Sequence, residues 1–133
     1  MSYVTHFDAI KRLVEVSSIR GKAKVTLSYD DFISIIRLMI ADVEVNEAWY
    51  LGQYPDVAEA VRDGSVKSAK QHFLRSGYFE GRLASPVSVD EKWYLQQNPD
   101  VATSIAVGEV ETAQGHFIKY GYVEGRRPFP ASE

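Results

Sequence analysis

An internal repetition constrains the fold of this chain more than any other feature of its sequence. Residues 45–82 and 89–126 align without a gap at a constant offset of 44 residues, and roughly 20 of the 38 aligned pairs are identical. A fixed period of this length is typical of repeat architecture, in which each copy forms one small supersecondary unit. The sequence therefore predicts two equivalent segments, called here copy one (45–82) and copy two (89–126), joined by a short linker at residues 83–88.

Composition and charge limit the classes of function. The chain of 133 residues has a net charge of -3 and no cysteine, which excludes disulfides, thiolate nucleophiles and cysteine-based zinc sites. The charge favours no nucleic-acid partner, and the basic cluster Arg20, Lys22 and Lys24 is typical of a solvated loop. The longest apolar stretch, residues 32–40, is too short for a membrane span, and no secretory signal is recognisable. We therefore expect a cytoplasmic protein without a membrane span.

Two helices are predicted in residues 1–44, which lie outside the repetition. The first helix should begin with Thr5 and Asp8 as its capping pair and end near residues 17–21. The second should cover residues 30–43, where apolar side chains recur at helical spacing. Both helices are predicted to be amphipathic.

A single strand is predicted between these two helices. Residues 24–29 alternate in polarity, which places Val25, Leu27 and Tyr29 on one side of an extended segment. A strand without a neighbour leaves backbone groups unpaired, and a second copy of the chain or a client peptide would complete it. The sequence thus predicts an intermolecular strand at residues 24–29.

Each copy predicts three short helices with matching boundaries. The third helix should run over about residues 66–76 and 110–120, and Gly77 and Gly121 should close it as left-handed C-caps. The first helix should begin at the N-caps Asn46 in copy one and Asp90 in copy two. The second helix should begin at Pro55 or Pro99 and end at Gly64 or Gly108.

A small polar set recurs in both copies and is the main candidate for chemistry. The histidine is expected to satisfy a backbone carbonyl with one ring nitrogen, and the arginine either pairs with the aspartate of its copy or projects toward a partner. The two histidines lack metal-ligand spacing, so we assign no metal, cofactor or catalytic residue. The set consists of Asp56, His72, Glu80 and Arg82 in copy one and of Asp100, His116, Glu124 and Arg126 in copy two.

Adjacent aromatic residues form a second recurrent feature. Trp49 and Tyr50, like Trp93 and Tyr94, are neighbours in sequence and cannot both face a core from one helix. One ring of each pair should be buried. The other should lie near the surface, where it packs on the core, contacts a protein or stacks on a sugar.

The repeated pattern resembles a known class of bacterial helical repeat. Each copy contains Trp-Tyr-Leu, then Pro-Asp-Val-Ala, then His-Phe and Gly-Tyr-x-Glu-Gly-Arg. Similar repeats are appended to glycosyltransferases, to other surface-polysaccharide proteins and to large secreted hemolysin-type proteins. The resemblance implies an accessory helical module and carries over no catalytic residue.

Together these features predict a mainly α protein in which two tandem three-helix repeats pack with an N-terminal helical or oligomerisation segment (1–44) and end in a tail (127–133). The expected function is that of a non-enzymatic bacterial adaptor or scaffold, binding a protein partner or a second copy of itself in polysaccharide synthesis or a cell-envelope process. The alternative is a carbohydrate or small-ligand module that uses the repeated Trp/Tyr and Glu/Arg positions. The candidate interaction residues are Trp49, Tyr50, Glu80, Arg82, Trp93, Tyr94, Glu124, Arg126, Val25, Leu27 and Tyr29.

Overall fold

Helices make up most of the regular structure. The computed structural model describes residues 2–132, and this range contains eight α-helices and one two-stranded antiparallel sheet. The predicted mainly α fold class is therefore confirmed. Within the same range, every helix is too short or too polar to cross a membrane.

The first helix is much shorter than the sequence predicts. Helix α1 spans Phe7–Lys11, and His6 caps it in place of Thr5, because the imidazole Nδ1 accepts a hydrogen bond from the Asp8 amide at 3.0 Å. The predicted continuation to residues 17–21 is wrong. The chain turns after α1 and enters a strand.

The sheet is a β-hairpin with a tight turn. Strands β1 (Glu15–Ile19) and β2 (Lys22–Thr26) pair antiparallel across a two-residue loop. Arg20 and Gly21 form that loop with positive φ angles of 53° and 76°, as a type I′ turn requires. This turn type matches the right-handed twist of the flanking strands, which explains the close pairing.

The prediction of a solitary strand over residues 24–29 is wrong. The strand has an intramolecular partner in β1 and lies two residues earlier than predicted. Leu27 follows the strand and Tyr29 is the first residue of helix α2 (Tyr29–Ile40), so neither shares a strand face with Val25. The partner strand was missed because helical apolar spacing was extended through residues whose β-branched side chains favour a strand.

Helix α2 begins where the sequence predicts and ends earlier than residues 30–43 suggest. The Ser28 hydroxyl caps it by accepting a hydrogen bond from the Asp31 amide at 3.1 Å. Ile40 at the last turn is the one buried side chain of this helix. Ile33, Ile35 and Ile36 are half-buried, while Tyr29, Phe32, Leu38 and Met39 are exposed.

Helix α2 meets copy one at only a few points. The Arg37 guanidinium lies over the Phe79 ring, 5.3 Å from its centroid, and Val43, which follows the helix, packs against the buried core of copy one. Toward the start of α2 the boundary opens into a groove of about 620 Å³. The predicted packing of this helix is thus confined to the edge of copy one.

Each sequence copy contains three α-helices, and the third continues into one wide π-helical turn. As predicted, Asn46 and Asp90 cap the first helix, accepting hydrogen bonds from the amides of Trp49 and Trp93 at 3.0 and 3.1 Å. In copy one the helices are α3 (Glu47–Gln53), α4 (Pro55–Arg62) and α5 (Ala69–His72), with the π turn at Phe73–Gly77. In copy two they are α6 (Glu91–Gln97), α7 (Pro99–Ala106) and α8 (Ala113–His116), with the π turn at Phe117–Gly121.

The third helix corrects two predictions. It begins three residues later than predicted in each copy, and Gly77 and Gly121 are not left-handed C-caps, because both lie inside the π turns without a positive φ. Each is a glycine for another reason. A Cβ at Gly77 would collide with the Tyr50 hydroxyl, and one at Gly121 would collide with the Tyr94 hydroxyl.

The left-handed closure occurs four residues later. Gly81 has a φ of 79°, its amide donates to the Tyr78 carbonyl at 3.1 Å, and the Arg82 amide donates to the Gly77 carbonyl at 2.9 Å. This is the Schellman pattern of hydrogen bonds. Copy two repeats it with Gly125 at a φ of 78°. The closure sets the direction in which each recurrent arginine leaves the backbone.

Each copy buries its own small core, and the two cores match position by position. The Asn46 amide donates to the Ala84 carbonyl at 3.0 Å, and the Asp90 amide donates to the Pro128 carbonyl at 2.9 Å, which extends the correspondence past each recurrent arginine. These bonds tie the end of each copy back to its beginning. The buried side chains are Tyr50, Val57, Ala69 and Phe73 in copy one and Tyr94, Val101, Ala113 and Phe117 in copy two.

Candidate functional site

A tyrosine and a histidine form a hydrogen-bonded pair in each copy, partly buried in copy one and buried in copy two. Tyr50 Oη lies 2.9 Å from His72 Nδ1, and Tyr94 Oη lies 2.8 Å from His116 Nδ1. The expectation that these imidazoles satisfy a backbone carbonyl is therefore wrong, since a phenol on the first helix takes that place. The pair links the first helix to the third across the core.

Burial disfavours the charged forms of both tyrosines and of His72. It raises the pKa of Tyr50 to about 12 and raises that of Tyr94 in the same direction. Burial also lowers the pKa of His72 below its ordinary value, an effect to which the nearby Arg82 charge adds. In each copy the hydrogen bond gives the buried phenol and one imidazole nitrogen a partner within the chain.

The recurrent arginine is held by two carboxylates of its own copy. In copy one, Arg82 Nη1 and Nη2 donate to the two carboxylate oxygens of Asp56 at 3.0 and 2.8 Å, and Nε donates to Glu80 at 3.1 Å. The guanidinium also lies over the Tyr54 ring, 4.9 Å from its centroid. Three of the five guanidinium N–H groups are therefore bonded to carboxylates of the same copy, which accounts for the position of this arginine within the fold.

Copy two contains the same arrangement of an arginine held by two carboxylates, with one difference. Arg126 donates to both carboxylate oxygens of Asp100 at 2.9 and 2.8 Å and to Glu124 at 2.7 Å. Asn98 replaces the stacking tyrosine and accepts a further hydrogen bond from Nη1 at 2.9 Å. Of the two roles open to these arginines in the sequence, the structure shows the internal pairing in both copies.

Acidification is expected to destabilise copy one in two steps. The bond to Arg82 lowers the pKa of Asp56 from 3.8 to about 2, and burial lowers that of His72. Both groups bind protons more tightly in the unfolded chain, so the free energy of unfolding falls as pH drops, first below about 6.5 and then between about 4 and 2. Because the carboxylate is mostly exposed, the second step is at most about 1 kcal/mol.

Urea unfolding across this pH range measures both steps. Asp56→Asn should reduce the lower step, to which Asp100 also contributes because its bond to Arg126 lowers its pKa, and His72→Gln should reduce the upper step. A lower step that persists unchanged in Asp56→Asn would contradict the assignment.

The adjacent aromatic residues divide as the sequence predicts. Tyr50 and Tyr94 are fully buried, whereas Trp49 and Trp93 are half-buried. Trp49 lines a cleft of about 280 Å³ between the copies, and Trp93 does not. The other lining residues of this cleft are Gln53, Tyr54, Gly81, Leu83, Pro86, Val87, Gln114, Ile118 and Tyr122.

The cleft is braced by hydrogen bonds from the linker. The Tyr54 hydroxyl accepts a bond from the Leu83 amide at 2.9 Å. The Gln114 side chain donates to the Val87 carbonyl at 2.6 Å and accepts from the Val89 amide at 2.9 Å. These amide and phenol groups hold the linker and are therefore already used within the chain.

The residues described by the structure contain no cluster of three or more His, Asp or Glu side chains that could hold a metal ion. His72 and His116 are each engaged by a tyrosine of their own copy. The recurrent polar set thus forms two separate structural frameworks and not one shared site.

The most prominent surface feature lies outside the copies. Of the sixteen large apolar side chains that are exposed in the described residues, ten belong to residues 3–39. Val25 and Tyr29 are among them, whereas Leu27 is half-buried. We call this set the N-terminal apolar surface: Tyr3, Val4, Phe7, Val16, Ile19, Val25, Tyr29, Phe32, Leu38 and Met39.

Sequence reasoning missed most of this surface because it treated the apolar stripes of the two N-terminal helices as core. Periodicity shows that a face is apolar but not what covers it. The Arg20–Gly21 turn between two β-branched segments was the available signal for the hairpin.

No protein-family model, curated protein or solved structure matches this chain.

Proposed function

We propose that this chain is a non-enzymatic adaptor that binds another protein through the N-terminal apolar surface. In this proposal copy one and copy two are two tandem three-helix repeats that act as a rigid support. The observation that carries it is the uneven distribution of apolar exposure: ten exposed large apolar side chains precede residue 40, while each copy encloses a matched core. Contiguous exposed apolar surface marks interaction sites in soluble proteins.

The hydrogen bonds inside each copy favour a structural role for the copies over a catalytic one. Each recurrent histidine is bonded to a tyrosine, and each recurrent arginine is bonded to two carboxylates. A catalytic base or anion site needs at least one such group directed toward a substrate. The repeated residues are accounted for by the fold of each copy.

The local structure of residues 2–44 also favours a partner. A two-stranded hairpin is marginally stable alone in water, and every residue of β1 and β2 is exposed. Tyr3, Val4, Ile10, Leu38 and Met39 line an apolar groove of about 390 Å³ between the N-terminal segment and α2. An apolar groove of this kind fits side chains of a protein partner.

The resemblance noted in the sequence suggests which partners to examine first. Repeats of this pattern accompany proteins of polysaccharide synthesis and the cell envelope, so we propose a partner from that class. This choice of partner class rests on the resemblance of the repeats, because no residue of the chain has a chemistry specific to a polysaccharide enzyme.

Matched surface substitutions test the proposal. Met39 and Val107 are 63% and 64% exposed, and they lie on the N-terminal apolar surface and on copy two respectively. Partners recovered with the full-length chain would be purified and titrated against both variants by calorimetry. Met39→Glu should weaken binding at least about tenfold, because it places a charge in an apolar contact, and Val107→Glu should not.

Two results would contradict the proposal. The first is equal weakening by both substitutions, or weakening by Val107→Glu alone. The second is an oligosaccharide that changes the fluorescence of Trp49 saturably while protein binding is absent. That outcome would favour the alternative function, a carbohydrate module, for which the cleft beside Trp49 offers aromatic side chains.

A further inference from the structure

The free edge of strand β1 has the properties of a self-pairing edge. Because the loop has two residues, Ile19 and Lys22 form a hydrogen-bonded pair. From that point, non-hydrogen-bonded and hydrogen-bonded pairs alternate along the hairpin. The backbone N–H and C=O groups of Val16 and Ser18 therefore point away from β2. Within the described residues these groups make no other backbone hydrogen bond, and the whole of β1 is exposed.

We infer that two copies of this chain pair antiparallel through their β1 edges and form a four-stranded sheet around a twofold axis at Ser17. In that register Val16 of each chain faces Ser18 of the other chain. The outward N–H and C=O groups of these two residues then form hydrogen bonds between the chains. This inference rests on the proposed function, because it names a second copy as one partner of the N-terminal apolar surface.

Charge selects β1 over β2 as the pairing edge. A twofold at the centre of β2 would place Lys24 directly opposite Lys24 of the second copy, and like charges in that position are destabilising. The equivalent position on β1 is the small, uncharged Ser17. Lysine on an exposed edge is a common way to block unwanted pairing, and β2 has Lys22 and Lys24 while the centre of β1 has no charge.

The faces of the hairpin are consistent with the same pairing. Val16, Ala23 and Val25 lie on one face, because Val16 is opposite Val25 and the neighbouring pair on that face contains Ala23. The register around Ser17 keeps this face on one side of all four strands. Pairing thus converts two marginal hairpins into one four-stranded sheet, in which Val16, Ala23 and Val25 of both chains share a face with the small Ser18.

A cysteine-free chain allows a direct test by cross-linking. Ser17 and Ile19 lie on the same face of β1 and are both exposed, which suits them to single-cysteine substitution. Around the proposed axis the two Ser17 Cα atoms would be about 4.5 Å apart, within the range of a disulfide. Mild oxidation of Ser17→Cys should give a covalent dimer as the main product. Ile19→Cys should give little, because residue 19 of one chain faces Glu15 of the other in this register.

Proline substitutions in the full-length chain test the backbone pairing separately. Ser18 and Ala23 also face each other, and both have amides that point outward. Light scattering of the unsubstituted chain should give twice the monomer mass of 15.0 kDa. Ser18→Pro should give the monomer mass, because it removes an intermolecular donor, and Ala23→Pro should keep the dimer.

The inference fails if the unsubstituted chain is monomeric at every concentration reached, or if Ile19→Cys cross-links as readily as Ser17→Cys. Its failure differs from that of the proposed function. A monomer that still loses its protein partner on Met39→Glu would overturn the dimer alone. A β1-linked dimer whose partner binding ignores Met39→Glu would overturn the proposed function alone.

Discussion

Replacing Gly77 or Gly121 by alanine is expected to lower the free energy of unfolding by about 2–3 kcal/mol, a large effect for one methyl group. The added Cβ would collide with the hydroxyl of the tyrosine buried in the same copy. That hydroxyl is bonded to a histidine and enclosed by the core, so it cannot move without breaking the bond or displacing the third helix. Urea unfolding followed by circular dichroism measures the change.

Gly52→Ala is the matched control for this prediction. Gly52 lies within helix α3, and a Cβ at that position meets no atom within 4 Å. Alanine is the better helix former, so this substitution should stabilise the chain by up to about 1 kcal/mol. Equal effects of Gly52→Ala and Gly77→Ala would show that the collision is not the cause.

A double substitution isolates the collision from other effects. Tyr50→Phe removes the atom that the new Cβ would meet, and the next contact of Gly77 is His72 Nδ1 at 3.3 Å. Gly77→Ala should therefore cost less in the Tyr50→Phe background than alone, giving a coupling energy of about 1 kcal/mol or more. Strict additivity of the two changes would contradict the proposed contact.

Tyr94→Phe is expected to destabilise the chain by about 1–3 kcal/mol, more than Tyr50→Phe does. Both changes remove a phenol that is bonded to a histidine. His116 is buried, so its ring nitrogen would be left without a partner, whereas His72 is half-exposed and can bond to water. The difference between the two variants measures how much solvent can replace the phenol.

Tyr122→Phe serves as the control for the loss of a hydroxyl. Within the part of the chain that the structure describes, the Tyr122 hydroxyl makes no hydrogen bond, while its ring packs edge-on against Phe117. This substitution should change stability by less than about 0.5 kcal/mol. A Tyr122→Phe effect as large as that of Tyr94→Phe would indicate that ring packing, and not the bond to histidine, explains the loss.

Local signals predicted the helices of the two copies well. The caps Asn46 and Asp90 and the prolines that open the second helix act through the adjacent backbone, so their effect is set within a few residues. The repetition strengthened these predictions because each signal occurs twice. The roles of the glycines were harder to predict, because a left-handed helix end and a close contact with another side chain both require glycine, for different reasons.

The N-terminal segment was predicted poorly for a related reason. Its apolar periodicity is real, but only Ile40 of helix α2 is buried, and the stretch before β2 is a strand instead of a helix. Whether an apolar face is core or surface depends on what packs against it, which periodicity does not encode. The exposed groove and hairpin therefore appear only in the tertiary structure.

By itself, the sequence determined that residues 45–82 and 89–126 repeat one pattern and where the first helix of each begins, because these properties depend on the repetition and on local backbone chemistry. Only the tertiary structure decided what the recurrent residues contact. It bonds Tyr50 to His72 and Arg82 to Asp56, partners 22 and 26 residues apart, and it leaves the N-terminal apolar surface uncovered. Contacts between distant residues depend on how the helices pack, which no local pattern specifies.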